Sequence, residues 1–385
     1  MAGSTRKTVW RGGLLSGGVA GLLGLSLWAM GVFVRPEGWA FDALARWARA
    51  GARLPDGVAV VLVDDASLEF METRVGRWPW PRRVWADVTE FLLMGGARCV
   101  VWDILFTEPQ GPPGNPDDQA LAEATASGPV VHAAQFVRDV PDEVGAALPV
   151  DLPESVRERF AWGPAPEGAE TANRAYLPIP PILDASWAIG AVDLQPDPDG
   201  VYRRVPLWRG WGGWAFPSLG PAALGPSAIP PERPAFGETA VPVDGRGEVL
   251  LNPYGDIPAF SISGILASVE ALGEGTPLLV DPSEFAGRIV LIGASAAGLE
   301  DLKPAPLSPL TPGVFLHATL LGNLLTGDHL RPWPPWASPL VLVLGSLLVA
   351  AWTQTARGPV GAGLGGAAAA LSLLRPVRAS PARNC

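Results

Sequence analysis

The sequence has few of the residues from which metal and thiol sites are usually built. Its 385 residues include two cysteines and three histidines. Cys99 lies inside an apolar run and Cys385 is the last residue, so no disulfide framework is predicted. The histidines at 132, 317 and 329 are far apart, and a lone histidine in an apolar segment such as VFLHATLLGNLL is usually a core or capping residue. We therefore expect no metal ion and no cofactor.

Signatures of common enzymes are also missing from the sequence. It contains no G-x-S-x-G elbow, no H-E-x-x-H, no P-loop and no G-x-G-x-x-G after a strand. The pair Asp64 and Asp65 does not have the D-x-D spacing of a phosphoaspartyl loop. These absences predict that the chain is not an enzyme.

Charged residues are scarce and unevenly distributed. They make up 17% of the sequence, against 48% hydrophobic residues. Residues 51–335 carry 18 Lys and Arg against 36 Asp and Glu, a net charge of −18, and the rest of the chain is net +8. An acidic middle argues against nucleic-acid binding, which needs a basic patch. Because the two ends of the chain are basic and apolar, this acidic middle indicates a water-exposed domain held by membrane anchors.

Long uncharged stretches predict those anchors. Residues 14–34 contain no charge and are long enough to cross about 30 Å of hydrocarbon as a helix. The run is too long for the apolar core of a signal peptide, which is the alternative interpretation. The predicted order is a cytoplasmic N-terminus (1–13), a first span (14–34), an extracytoplasmic domain (35–335), a second span (337–356), a probable third span (358–374) and a tail without an output domain (375–385).

Between the anchors, apolar strands alternate with helical patterns. Strands are predicted near 58–67, 98–106, 129–136 and 287–298, with helices near 82–98 and 117–126. This spacing predicts an α/β fold with a mostly parallel sheet. Residues 137–286 are proline-rich with short strands, and we expect antiparallel insertions in the same domain. The segment PDPDG at 196–200 predicts a hairpin turn between its two flanking strands.

Acidic residues follow the predicted parallel strands, where ligands bind in open sheets. Asp64 and Asp65 follow one strand and Asp103 follows the next, while Arg82 begins the intervening helix. In GRWPWPRRVW (76–85) the prolines make a rigid helix entry that can hold two tryptophans over the strand ends. The candidate ligand-binding residues are Asp64, Asp65, Trp78, Trp80, Arg82, Asp103, Glu108 and Ser295.

Two interpretations of these residues stay open. The first is a small-ligand or cation site. The second is a buried structural ion pair of Arg82 with Asp65 or Asp103, which fixes how the helix meets the sheet.

Several segments together resemble a known family. VDDASLEF, GRWPWPRRVWADVTEFLLMGGARCVVWDILFTEP and DDQALAEA are similar to the type-two CHASE domain. GAVDLQPDPDGVYRRVPLW and LNPYGDIPAFSISGILA resemble its middle part, and GRIVLIGASAAGLEDLKPAPLSPLTPGVFLHATLLGNLLTGDHLRP resembles its closing part. The resemblance covers roughly residues 40–332, in the family's order.

The resemblance implies an extracytoplasmic sensory domain of a bacterial receptor, in a multi-pass protein of the inner membrane. Such domains usually precede a cyclase or kinase module, and no such sequence follows here. We therefore expect a small extracytoplasmic ligand, an effector protein in trans and a homodimer as partners, with no nucleic acid. The alternatives are a truncated receptor whose cyclase or kinase module is missing, and an extracytoplasmic enzyme or structural envelope protein.

Overall fold

A computed structural model of the chain describes residues 17–32, 34–138, 151–225, 229–299, 301–332, 334, 336–355 and 378–379. The chain forms two compact units. The first, the terminal unit, comprises Met1–Ala48 and Leu330–Ala379, and the second, the acidic unit, contains Arg49–His329.

The terminal unit is mainly helical. Its elements are α1 (17–29), α2 (Val34–Arg49, whose last residue belongs to the acidic unit), α11 (Ala337–Thr355), β18 (Leu330–Arg331) and β19 (Arg378–Ala379). Helices α1 and α11 meet through small residues four apart. A Cβ at position 17 would lie 2.7 Å from Cβ of Ala350, and one at position 21 would lie 2.8 Å from Oγ of Ser346. Glycine at both positions lets the two backbones approach closely.

Membrane spans are not confirmed. Within the part of the chain that the structure describes, no helix combines the length and the apolar character needed to cross a bilayer. The predicted segments 1–13 and 358–374 lie outside the described residues, as does all of 375–385 except 378–379. The domain boundaries assigned from the sequence therefore stay predictions.

The acidic unit contains a seven-stranded sheet with helices on both faces. Its helices are α3 (Asp65–Glu72), α4 (Arg82–Met94), α5 (Pro116–Ala126), α6 (Glu154–Phe160), α7 (Pro180–Ala185), α8 (Leu219–Ala222), α9 (Ile262–Glu274) and α10 (Gly313–Thr326), with short 3-10 turns at Pro282–Phe285 and Ala297–Leu299. Its strands are β1 (Val58–Val63), β2 (Cys99–Trp102), β3 (Val130–Val137), β4 (Gly163–Pro164), β5 (Thr171–Ala172), β6 (Arg174–Tyr176), β7 (Ala188–Ala191), β8 (Arg204–Pro206), β9 (Trp208–Trp211), β10 (Trp214–Pro217), β11 (Ala235–Phe236), β12 (Thr239–Ala240), β13 (Glu248–Leu250), β14 (Ala259–Ser261), β15 (Ile289–Ala294), β16 (Leu302–Lys303) and β17 (Thr311–Pro312).

The central sheet is mostly parallel, which confirms the predicted α/β class. The strand order is β14-β1-β15-β2-β3-β6, and β7 also pairs with β3. All of these pairs are parallel except β3 with β6. The last long strand of the unit, β15, lies between β1 and β2, so its carboxyl end is placed at the middle of the sheet.

Alternate residues of the strands build two separate cores. On β1, Ala59, Val61 and Val63 face the core that contains α4 and α9. Val58 and Val60 face the other core, which contains α8 and α10. The period of two along each strand therefore buries both faces, as the continuous apolar runs of the sequence indicate.

The proline-rich region adds antiparallel pairs to the same unit, as predicted, but the predicted hairpin is wrong. β10 pairs antiparallel with β9 and β4, and β8 pairs antiparallel with β13. The strand before PDPDG, β7, instead joins the central sheet beside β3. The turn is fixed by ion pairs: Arg203 lies 2.9 Å from Asp199 and 3.1 Å from Asp197. The two flanking strands, β7 and β8, lie in different sheets.

Candidate functional site: a cleft at the strand ends

A cleft of about 870 Å³ opens at the carboxyl ends of β15, β2, β3 and β7. Asp103 directly follows β2, Phe136 lies near the end of β3, and Asp193 follows β7 by two residues. Gly313 and His317 of α10 also line it. The position is the one that ligands take in open parallel sheets, and the volume suits a small molecule.

Two carboxyl groups and one ammonium group lie at the end of the cleft beside α10, which we call the α10 end. They belong to Asp103, Asp301 and Lys303. The pKa of the Asp103 carboxyl is raised to about 8, chiefly by burial and also by the nearby Asp301 carboxylate, while Lys303 opposes the shift. The Asp103 carboxyl makes no hydrogen bond to any residue that the structure describes. At neutral pH this carboxyl is therefore mainly protonated, and it can release its proton when another partner binds.

Asp301 lies over the first turn of α10. Its backbone carbonyl accepts a hydrogen bond from the Gly313 N–H at 2.9 Å, and Nζ of Lys303 lies 3.4 Å from its Oδ1. A Cβ at position 313 would come within 2.6 Å of Asp301 Oδ2, so only glycine lets the carboxylate approach the helix this closely. A negative charge at a helix N-terminus is favourable, but burial still raises the pKa of Asp301.

His317 lies one turn further along α10 and is only 1% exposed. Neither of its ring nitrogens has a hydrogen-bond partner among the described residues. Burial lowers its pKa to about 4, so the ring is neutral and offers one donor and one acceptor. Buried polar atoms in folded proteins nearly always have partners. A ligand in the cleft can supply the partner of His317.

The opposite end of the cleft contains arginines that are already paired. Nη1 of Arg138 lies 2.9 Å from Glu170, and Arg209 lies 3.7 Å from the same carboxylate. Asp193 accepts a hydrogen bond from the Phe136 N–H at 2.6 Å, and burial raises its pKa to about 6. Charge is thus closely balanced here, whereas at the α10 end two carboxyl groups share one lysine.

Of the eight residues predicted from the sequence, Trp78 and Asp103 line this cleft. Trp78 is half-buried and packs edge-on against Trp80 and Trp85, with ring centroids 5.3 and 5.5 Å apart. Trp80 is fully buried and stacks on Trp85 at 5.1 Å, so it belongs to the core. The tryptophans of GRWPWPRRVW therefore form a packed cluster of which Trp78 reaches the cleft.

Arg82 begins α4, as predicted, but its expected pairing with Asp65 or Asp103 is wrong. Its Nε lies 3.5 Å from Oδ1 of Asp118 on α5, and its Nη2 donates to the Glu108 carbonyl at 3.0 Å. The guanidinium also lies over the Phe106 ring, 4.6 Å from its centroid. Burial lowers the pKa of Arg82, and Asp118 opposes the shift. The pair joins α4 to α5 and lies outside the cleft wall.

The other predicted residues do not converge with Asp103. Asp64 caps α3, since its Oδ1 accepts from the Ser67 N–H at 2.9 Å and the Ser261 hydroxyl at 3.0 Å. Asp65 is exposed in the first turn of that helix, because the chain turns into α3 directly after β1. Glu108 is exposed, and the Ser295 N–H donates to the Val63 carbonyl at 3.0 Å.

The chemistry of the cleft is that of recognition by hydrogen bonds and charge. No group of three or more His, Cys, Asp or Glu side chains within the described ranges could hold a metal ion.

The profile of the CHASE2 domain matches residues 19–352, which is most of the chain. The chain belongs to the CHASE2 domain family. CHASE2 is a sensory domain found in signal-transduction receptors, where it is extracytoplasmic and generally not catalytic. No curated protein and no solved structure matches the chain significantly.

Several polar residues of the cleft in this CHASE2 domain were not recognised in the sequence, among them Asp193, Asp301, Lys303 and His317. Asp193 follows β7 just as Asp103 follows β2, so the strand-end rule finds it once β7 is recognised as a parallel strand. Asp301 directly precedes the two-residue strand β16, which contains Lys303, and no local pattern in the sequence marks this segment. His317 occupies an apolar helix, where a core position is the more common reason for a histidine.

Proposed function

We propose that this chain is a membrane-anchored, extracytoplasmic sensory domain of a bacterial receptor, and that it binds a small polar ligand in the strand-end cleft. Membership of the CHASE2 family supports the sensory role. The acidic middle and the uncharged stretches of the sequence support anchoring in the inner membrane. The main support for the ligand site is the environment of His317. This buried side chain lies on the cleft wall, and its two nitrogens have no partner among the described residues.

Signalling requires that the ligand favour one of two conformations of the domain, because equal affinity for both shifts nothing. We propose that the ligand acts on α10, because Gly313 and His317 of this helix line the cleft. The chain continues from α10 through residues 327–336 into α11. We propose that a shift of α10 is passed along this connection to an effector protein, within a homodimer.

The ligand site is tested by filling the cleft. Gln195 lies on its wall and is partly exposed, so Gln195→Trp narrows the cleft without disturbing a buried contact. Leu279→Trp places the same ring at a position that is 74% exposed and outside the cleft. The full chain, in detergent, is screened against polar metabolites by its thermal unfolding midpoint.

A ligand at 100 times its Kd should stabilise the chain by about 2.7 kcal/mol. We expect this stabilisation in the wild type and in Leu279→Trp, and its loss in Gln195→Trp. Equal stabilisation of both variants would place the ligand elsewhere, and a panel in which no compound stabilises the wild type would overturn a ligand-binding role for the cleft.

A further inference from the structure

We propose that the cleft binds a small organic molecule with a primary ammonium group, which lies at the α10 end between the carboxyl groups of Asp103 and Asp301. This inference rests on the proposed function, because it names the ligand class of the same cleft.

Charge at the α10 end depends on the protonation of Asp103. Asp103 and Asp301 both line the cleft, and the Asp301 charge acts on the Asp103 carboxyl. Lys303 lies at the same end, 3.4 Å from Asp301. Once Asp103 loses its proton, two carboxylates face one ammonium, and a second ammonium completes the balance. An anionic ligand would instead lie close to the Asp301 carboxylate, which is unfavourable.

Three groups at this end can each accept one hydrogen bond from a primary ammonium. An ammonium group has three N–H donors and no acceptor. The α10 end offers the Asp103 carboxylate, the Asp301 carboxylate and one nitrogen of the neutral His317 ring. His317 is the independent sign that a polar group belongs here, because it is buried on the cleft wall and neither nitrogen has a partner in the described part of the chain. A quaternary ammonium, which has no N–H, would leave all three acceptors unused.

Proton exchange follows from the same arrangement. The charges that act on Asp103 belong to Asp301 and Lys303, which follow β15, and His317 of α10 lines the same cleft. With its pKa raised to about 8, the Asp103 carboxyl has to lose its proton before it can pair with an ammonium. At pH 7 binding should therefore release about 0.9 proton per ligand, and affinity should rise about tenfold between pH 6 and pH 7.

The experiment uses the full chain and matched probe sets. Pools of primary amines (the twenty amino acids, their amides and short diamines) are compared with the same skeletons N-acetylated and with N-trimethylated, polyol and carboxylate compounds. Thermal shift finds the binders, and calorimetry in two buffers of different ionisation enthalpy counts the protons. We expect primary amines to bind, and the N-acetylated and N-trimethylated counterparts to bind at least tenfold more weakly. Amides and diamines show whether a carboxylate on the ligand contributes as well.

The variants are Asp103→Asn and Asp65→Asn, which make the same isosteric change inside the cleft and at an exposed position outside it. Asp103→Asn should weaken amine binding at least tenfold and abolish the pH dependence, while Asp65→Asn leaves both unchanged. The proton count in the wild type is independent of whether Asp103→Asn folds. Binding of polyols or carboxylates alone would overturn the proposal of an amine ligand but would leave the proposed function in place. Amine binding without proton release would also overturn it, and the absence of any binder would remove both proposals.

Discussion

Arg82 and Arg83 are adjacent in sequence but differ in environment. The side chains of Arg82 and Asp118 are 13% and 8% exposed, whereas those of Arg83 and its partner Asp87 are 67% and 37% exposed. Removing one member of a largely buried pair leaves an uncompensated charge, while a surface pair contributes little. The contacts of Arg82 therefore belong to the packing of α4 against α5.

We predict that Arg82→Ala lowers the free energy of unfolding by about 2–4 kcal/mol, because Asp118 loses its partner. Arg83→Ala is the matched control and should change it by less than about 0.5 kcal/mol. Urea unfolding followed by tryptophan fluorescence measures both. Equal small losses would show that the pair with Asp118 does not stabilise the fold.

Asp103 gives stability a pH dependence whose sign can be worked out. Its folded pKa, about 8, lies above that of the unfolded chain, so the folded state holds the extra proton and loses stability as pH rises towards 8. The lowered pKa of His317, about 4, acts oppositely but only up to about pH 6.5. His132, whose pKa burial lowers to about 3, acts in the same range. Asp193, raised to about 6, acts in the same direction as Asp103 and has little effect above about pH 7.

We therefore predict that the free energy of unfolding falls between pH 6.5 and 8, by at most about 2 kcal/mol. Asp103→Asn should remove this slope, because the amide carries no titratable proton. Unfolding midpoints in urea at half-unit pH intervals provide the measurement. A slope that persists in the variant would assign the proton to another group.

At the scale of elements, α8 and α10 approach through a glycine. A Cβ at position 220 would lie 2.5 Å from the backbone oxygen of His317. The backbones of α8 and α10 therefore lie in close contact at His317, whose side chain lines the cleft. Gly273, in α9, is the contrasting case, since a Cβ there meets no atom within 4 Å.

We predict that Gly220→Ala destabilises the chain by about 1–3 kcal/mol, because the extra methyl group forces α8 and α10 apart. Gly273→Ala should be neutral or stabilise by up to about 1 kcal/mol, since alanine favours the helix. Thermal unfolding distinguishes the two, and Gly220→Ala should also weaken any ligand of the cleft. Identical behaviour of the two variants would contradict the close packing at position 220.

At the scale of the whole molecule, the sequence predicts anchors at both ends of an acidic domain. We predict that the chain sediments with the bacterial inner membrane and resists extraction by carbonate. Protease added to spheroplasts should cleave within residues 51–335, and this region should be protected in inverted vesicles. Recovery of the chain in the soluble fraction would contradict membrane anchoring, and protection in spheroplasts would place the domain on the cytoplasmic side.

The sequence by itself determined the class of fold and the edge of the sheet at which to look for a site. Continuous apolar strands alternating with helices such as α4 require a parallel sheet that is buried on both faces, and Asp103 follows one of those strands. These are local properties, because a strand's burial and the residue after it can be read in one segment. The end of α4 is also a local property, because Gly95 and Gly96 mark it within one segment of the sequence.

Only the tertiary structure decided which polar groups share the cleft. Asp301 and His317 share the cleft with Asp103 because β15 lies beside β2 and α10 returns over the sheet, although they are far from Asp103 in sequence. Arg82 pairs with Asp118 instead of Asp103 because α5 packs against α4. No spacing in the sequence reveals this contact between the two helices. The local sequence pattern determines which residues follow the end of a strand. Their electrostatic partners depend on distances that exist only after the strands have been ordered in the sheet.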